Sequence, residues 1–276
     1  MTLCAAWIEN GFGLLVSDSR ISFPNHPHVD VGTKLSRIDC HIFPPSEPGG
    51  AQFEGEITIP IACLFSGSVI AAYPIRDHLA VVLQSLQFVP GSSSPRVDLV
   101  FRFAKEIFER IAQPVRCSLM DKGNVEIVLM AGCPVEKRLR SLSLKWGNTT
   151  KPIFTDDPVP DTGKAYYFGD VAAKVAAQRL ERHGARPYDA LYSIIESGRF
   201  ATIGGNIQFG RITTRGLYLH PLEKMDLDSL VGKGIQHTWG ALDFNNLSTP
   251  DEHDSLHPSY GVFPQPRIYD LDFEVS

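Results

Sequence analysis

Two blocks of helical periodicity separate three blocks of strand-like sequence, and this alternation restricts the possible folds more than any other feature. The first helical block opens after the buried run IPIACLFSGS (59–68), with VIAAYPIRDHLAVVLQSLQF read as a helix. Pro74 fits its first turns or splits it in two. Pro90, Gly91 and three serines end that element, and Ser94-Pro95 then reads as N-cap and first residue of a second helix. Val97, Val100, Phe101, Ala104, Ile107, Phe108 and Ile111 fall on one face of it, and Pro114 is expected to stop it. In the second block Asp170 can cap an Ala-rich helix running to about His183. Pro187 opens another to about 198, with Leu191, Ile194 and Ile195 turned inward.

Between these blocks the sequence reads as strands and loops. Residues 2–9 form one strand, and Gly11-Phe12-Gly13 marks the turn into a second at 13–18. Residues 22–32, with Pro24, His26, Pro27 and His28, read as a loop or ragged strand, followed by a strand near 34–41. The Pro/Gly-rich stretch from 44 to 56 reads as an exposed loop. VEIVLMAG (125–132) and LRSLSLKW (139–146) are strands, and TDDPVPDTG is a loop leading into the strand AYYFG. NIQFGRITT and GLYLHPL form a hairpin turning at 214–216. Strands, two helices, strands, two helices, strands suits an α+β fold, a four-layer α-β-β-α sandwich with two facing sheets and helices outside. This gives a domain over 1–220. Residues 221–276, richer in His, Pro, Asp and Asn, read as a C-terminal extension that wraps the domain or a neighbouring subunit.

Composition removes several function classes. A net charge of −5 with no basic stripe argues against nucleic acid as a partner. No apolar run is long enough to cross a bilayer, and the first residues lack the basic and apolar regions of a secretory signal. Cys4, Cys40, Cys63, Cys117 and Cys133 are scattered without a C-x-x-C pair, so buried free thiols in a reducing cytoplasm are expected rather than a zinc site. His253 and His257, with Asp251 and Asp254, lack a third ligand and read as a solvated acidic loop. No metal and no cofactor are expected. Phosphate loops and a G-x-S-x-G elbow are absent.

The chemistry concentrates in the first residues, MTLCAAWIENGFGLLVSDSR. With Met1 removed, Thr2 carries a hydroxyl and a free amine on one residue and can serve as both nucleophile and, through a bridging water, base. An α-amine titrates near 7.7–8.0, so a useful fraction is unprotonated near neutrality. Asp18 lies sixteen positions after Thr2, and Lys34 sixteen after Asp18. An ammonium beside the hydroxyl favours the alkoxide and depresses the amine's pKa, and a carboxylate holds that ammonium in place.

Thr-x15-Asp-x15-Lys, with V-x-D-S-R around Asp18 and G-T-K-L-S-R-I around Lys34, resembles the N-terminal nucleophile (Ntn) threonine hydrolases of the proteasome β-subunit type, including the bacterial HslV and Anbu kinds. That family uses the four-layer sandwich. The resemblance implies a cytoplasmic threonine peptidase that cuts amide bonds through an acyl-enzyme on Thr2. Gly67, inside Ser66-Gly67-Ser68, would then supply an oxyanion N–H. It also implies a peptide lying as an added strand beside residues 20–22, Ser22 included, with a side-chain pocket flanked by Ile21, Val69 and Tyr73. The partners implied are a peptide or unfolded protein, copies of the same chain in a ring or stack, and an unfoldase.

Two departures accompany this resemblance. Gly169-Asp170 stands where the family has Gly-Ser, and Phe200 and Ile203 stand where it has the Asp and Ser of Asp-x-x-Ser-Gly-Gly. Asp170, Ser197 or Thr202 are the candidate substitutes for that support. Two alternatives therefore stay open: a non-catalytic scaffold subunit on the same fold, and an Ntn hydrolase acting on a small amide metabolite.

Overall fold

Strands β1 (Leu3–Glu9) and β2 (Phe12–Asp18) form an antiparallel hairpin in the computed structural model. The structure describes residues 2–22, 27–44, 56–88, 94–147, 149–220, 222–224, 236–239 and 242–243. The hairpin turns on Asn10-Gly11, one residue earlier than Gly11-Phe12-Gly13, because both residues have positive φ (52° and 78°). That is the geometry a two-residue hairpin turn requires.

The next strands are β3 (Leu35–Phe43), β4 (Ile57–Gly67) and β5 (Leu86–Gln87), with helix α1 (Val69–Leu83) between the last two. Helix α2 (Val97–Leu119) leads to β6 (Val125–Cys133), β7 (Arg138–Trp146), β8 (Ile153–Asp156) and β9 (Tyr166–Gly169). Helices α3 (Val171–Arg182) and α4 (Pro187–Ser197) precede the hairpin of β10 (Ile207–Ile212) and β11 (Leu217–His220). One sheet has the order β11-β10-β2-β1-β9, the other β5-β3-β4-β6-β7-β8.

The two sheets face each other, and the helices lie outside. Cys4, Ala6, Leu15, Leu64, Val128, Met130, Phe168 and Ile212 form the layer between the sheets. On β1 the alternate residues Leu3, Ala5 and Trp7 face the other way, into a core with Ala173, Ala177, Leu191 and Ile194 of α3 and α4. Phe65, Ile127 and Leu129 likewise meet Ala72, Leu79, Phe101 and Phe108 of α1 and α2. The central strands are buried on both faces, which is why β1 and β6 read as continuous apolar runs. This is the expected four-layer α-β-β-α sandwich.

Several local expectations differ. Helix α2 does not stop at Pro114 but continues to Leu119. Pro114 and Arg110 both lie on the exposed side, so the Arg110 carbonyl left without its helical N–H can bond to water. The α2 N-cap is Arg96, not Ser94, and Pro95 precedes the helix. Helix α1 is one piece through Pro74 and ends at Leu83; Leu86–Gln87 pairs with β3 instead of extending it. Thr155 and Asp156, expected to open the Asp/Pro loop, instead belong to an edge strand, β8, on β7.

Asp170 caps α3, accepting from the Ala173 N–H at 3.0 Å. Cys4, Cys40, Cys63 and Cys133 are buried free thiols, and Cys117 is exposed. Past 220, β12 (Leu222–Lys224), β13 (Gln236–Trp239) and β14 (Leu242–Asp243) form a separate three-stranded sheet. The run around His253 and His257, His26, and most of the 44–56 stretch lie outside the described residues. Among the described residues no group of three His, Cys, Asp or Glu side chains could hold a metal. No helix there is long and apolar enough to cross a membrane.

Candidate active site

Strand direction brings the predicted residues to one end of the sandwich. Thr2 precedes β1, Asp18 ends β2, Lys34 precedes β3 and Gly67 ends β4. Thr2 is 3% exposed, and Asp18 and Lys34 are fully buried. Asp18 joins the other two. Its Oδ1 accepts from the amide of Leu3, the residue after Thr2, at 3.1 Å. Its Oδ2 accepts from the Lys34 ammonium at 2.9 Å, from the Arg20 amide at 3.2 Å and from the Gly204 amide at 3.3 Å. One carboxylate therefore lies between the ammonium and the first strand.

Burial pushes the Asp18 carboxyl above its usual range, opposed by the Lys34 charge and by the Leu3 and Gly204 amides. The donors offset only part of the cost of burial, since the net shift is upward. Cys4, two residues from Thr2, donates its thiol to the Phe65 carbonyl at 3.3 Å. Burial above all, then the Asp18 and Glu126 charges, holds that thiol well above its normal value. A thiol kept protonated is a poor nucleophile.

The start of β1 is closed in by β4 and β9. The Thr2 carbonyl accepts from the Asp170 amide at 2.8 Å. Gly169 has φ +110°, and a Cβ there would collide with the Thr2 carbonyl while lying 3.4 Å from Ser66 Cβ. Gly169 thus lies between the Thr2 carbonyl and Ser66 of β4. Gly67 itself has φ +98°, and a Cβ on it would strike the Asn124 carbonyl, which also accepts from the Ser68 amide at 2.8 Å. Glycine is required there both by backbone conformation and by space.

The expected substrate-side residues lie on two elements. Ile21 and Val29 exchange both backbone hydrogen bonds, at 2.7 and 3.0 Å, so the peptide edge beside 20–22 is already paired at Ile21. On an extended chain the backbone groups of Ser22 point to the opposite side. The Ser22 hydroxyl donates to the Thr202 carbonyl at 3.4 Å. Val69 and Tyr73 share one face of α1, a turn apart, just after Gly67. Tyr73 packs edge-on against Phe65, and the Arg76 guanidinium lies 4.6 Å from its ring centre.

The support residues divide. The Asp170 side chain caps α3, and only its main chain reaches Thr2. Ser197 bonds at its own helix end, donating to the Ile194 carbonyl at 2.7 Å and accepting from the Arg199 amide. Phe200 and Ile203 pack into the apolar core beneath α3 and α4. Their segment reaches the site through its backbone: the Gly204 N–H goes to Asp18, and the Gly204 carbonyl accepts from the Arg20 amide at 3.1 Å.

Two groups escaped the sequence reading. Arg20 grips Asp30 with two hydrogen bonds, at 2.7 and 2.9 Å, tying the stretch after β2 to the one before β3. Gln208, fully buried on β10, accepts from the amides of Lys34 and Leu35 and from the Ser17 hydroxyl, and donates to the Gly32 carbonyl. The only signal for it was a polar residue inside an apolar strand, and sequence alone does not say which face of that strand is inward.

No protein-family model matches the chain, and no curated protein matches it in sequence. Among solved structures the fold is similar to Anbu (ancestral β-subunit) from Yersinia bercovieri, with TM-score 0.52 and 14% identity, covering 79% of this chain and 86% of that one. It is also similar to a mutant Anbu from Hyphomicrobium sp. strain MC1, with TM-score 0.53 and 12% identity, covering 79% and 85%. At such identity the likeness is one of fold: the chain shares the four-layer sandwich of these proteins.

Proposed function

We propose that this chain is an N-terminal threonine amide hydrolase of a self-assembling, proteasome-like complex, with Thr2 exposed by removal of Met1. The observation that carries the reading is the buried Lys34–Asp18 pair, whose carboxylate is bonded to the amide next to Thr2. An ion pair fully withdrawn from water is costly and adds little stability over an apolar pair, so its place at the start of β1, one amide from Thr2, supports a chemical use. In the reaction, the Thr2 hydroxyl oxygen attacks the scissile carbonyl while its proton passes through a water to the α-amine. The Gly67 N–H faces the developing oxyanion. The C–N bond breaks as the amine returns the proton to the leaving nitrogen. Water, activated by the same amine, then hydrolyses the ester on Thr2. Lys34 keeps the amine neutral and the alkoxide stabilised, and Asp18 holds Lys34. Asp170 contributes through its main-chain bond to Thr2, and a peptide substrate pairs alongside Ser22 with its side chain near Ile21, Val69 and Tyr73.

The working form is a homo-oligomer, ring or stack, that takes peptide or unfolded protein, with an unfoldase as candidate partner and the cytoplasm as its compartment. A peptide epoxyketone, which reacts with the hydroxyl and amine of one residue together, tests the reading. Labelling is expected in the wild type and in Cys4→Ala and absent in Thr2→Ala. A wild type that never labels favours the second reading, a non-catalytic scaffold subunit. That reading draws on Phe200 and Ile203, which put apolar packing where the resembled family has its Asp and Ser.

A further inference from the structure

We infer that Gln208 is a positioning residue for this site, fixing where the Lys34 ammonium stands relative to Thr2; the inference rests on the reading of Thr2 as nucleophile. Gln208 lies on β10, paired with Ser17 of β2 in the first sheet, yet its side chain reaches the segment that enters β3 of the second. Its Oε1 lies 2.8 Å from the Lys34 amide, 3.0 Å from the Leu35 amide and 3.4 Å from the Ser17 hydroxyl, and its Nε2 donates to the Gly32 carbonyl. The Lys34 carbonyl accepts from the Phe65 amide of β4 at 3.1 Å. The backbone of Lys34 is therefore held on its N–H side by Gln208 and on its carbonyl side by β4.

A lysine ammonium sits at the end of four rotatable methylenes, so a defined position requires a fixed stem. Asp18 fixes the head, and Gln208 with Phe65 fixes the root. The same Oε1 bonds the hydroxyl of Ser17, the neighbour of Asp18, so one amide group ties together the carriers of both charges. A fully buried amide that spends its capacity on the 32–35 segment is a specific device rather than filler.

The charged and titratable groups that act on Asp18 and on Cys4, the neighbours of the amine to be tuned, are Lys34 before β3 and Glu126 from β6; Arg20 pairs with Asp30, and Asp170 meets Thr2 through its main chain. If the stem slackens, the ammonium retreats and the Thr2 amine, less repelled, holds its proton to higher pH. A retreat from about 4 to about 6 Å at an effective dielectric of about 20 corresponds to roughly one pH unit. Displacements of this size slow reactions by up to about 100-fold.

The test is the rate of epoxyketone labelling against pH for the wild type, Gln208→Met and Gln208→Asn, with melting temperatures alongside. Gln208→Met removes the acceptor of the Lys34 and Leu35 amides, and Gln208→Asn, one methylene shorter, withdraws it without adding charge. Both variants are expected to label more slowly, with the acid limb moved up by roughly one pH unit. If Gln208→Met does not fold, Gln208→Asn decides alone. Folded variants whose acid limb stays at the wild-type midpoint overturn the inference and leave the reading of Thr2 intact, even if their rates fall. A wild type that does not label overturns both.

Discussion

Lys34→Met removes one charge from the buried pair and keeps an unbranched side chain. Asp18 would then retain the amides of Leu3, Arg20 and Gly204 but lose the Lys34 ammonium. Deleting one partner of a buried pair costs about 3–5 kcal/mol, because the other charge is left uncompensated. In a chain of this size each kcal/mol moves the melting midpoint by about 2–4 °C, so a fall of roughly 6–20 °C is expected near neutral pH.

The pH dependence gives the sign. Burial already holds the Asp18 carboxyl above its usual range, so its folded pKa lies above the unfolded value. Such a group's contribution is fully present below the unfolded value, about 3.9, and is lost as pH rises through the folded value. Removing the ammonium raises that folded value further. The deficit of Lys34→Met should therefore grow from acid toward neutral pH and then level off. Urea and thermal unfolding from about pH 4 to about pH 8 measure it, for the wild type, Lys34→Met, Asp18→Asn and the double variant. The double variant should be more stable than the two single losses added together, by at least about 1 kcal/mol. A Lys34→Met deficit below about 1 kcal/mol, or one flat across that range, refutes the reasoning.

Gly67→Ala should lower stability by about 1–3 kcal/mol from backbone strain alone and abolish labelling, since the Asn124 carbonyl occupies the space of the new methyl. A wild-type urea midpoint would contradict it. Asp170→Asn keeps the helix cap and the main-chain bond to Thr2, so melting temperature and hydrolysis should both stay near wild type. A tenfold loss of hydrolysis at unchanged stability would instead give its carboxylate a role at the amine. Pro114→Ala should restore the helical bond to Arg110 and stabilise α2 by about 1–3 kcal/mol without altering labelling. A lower melting temperature would show that Pro114 has an unrecognised packing role.

The sandwich was legible because its central strands are buried on both faces and leave apolar runs such as β1 and β6, while α2 and α4 carry regular stripes. Short edge strands escaped: β5 and β8 are partly exposed and bury too little to pattern their residues. Helix α2 runs through Pro114 because its lost bond faces water and its apolar face remains packed, a tertiary effect that local rules miss. Asp18 and Lys34 were readable from the Thr-x15-Asp-x15-Lys spacing and the residues flanking each. Gln208 was not, because its partners lie at 32–35 across the sandwich and at Ser17 on the neighbouring strand, and no local spacing records those contacts. The departures at Phe200 and Ile203 were visible in sequence, whereas the backbone support from Gly204 appears only in the folded chain.

The central claim is that a free Thr2 amine and hydroxyl act together beside Lys34. Intact mass of the purified native chain, before and after epoxyketone treatment, addresses it most directly. The account predicts a mass lacking the initiator methionine and a single adduct that maps to Thr2. A chain that retains Met1, or an adduct on any other residue, would contradict it.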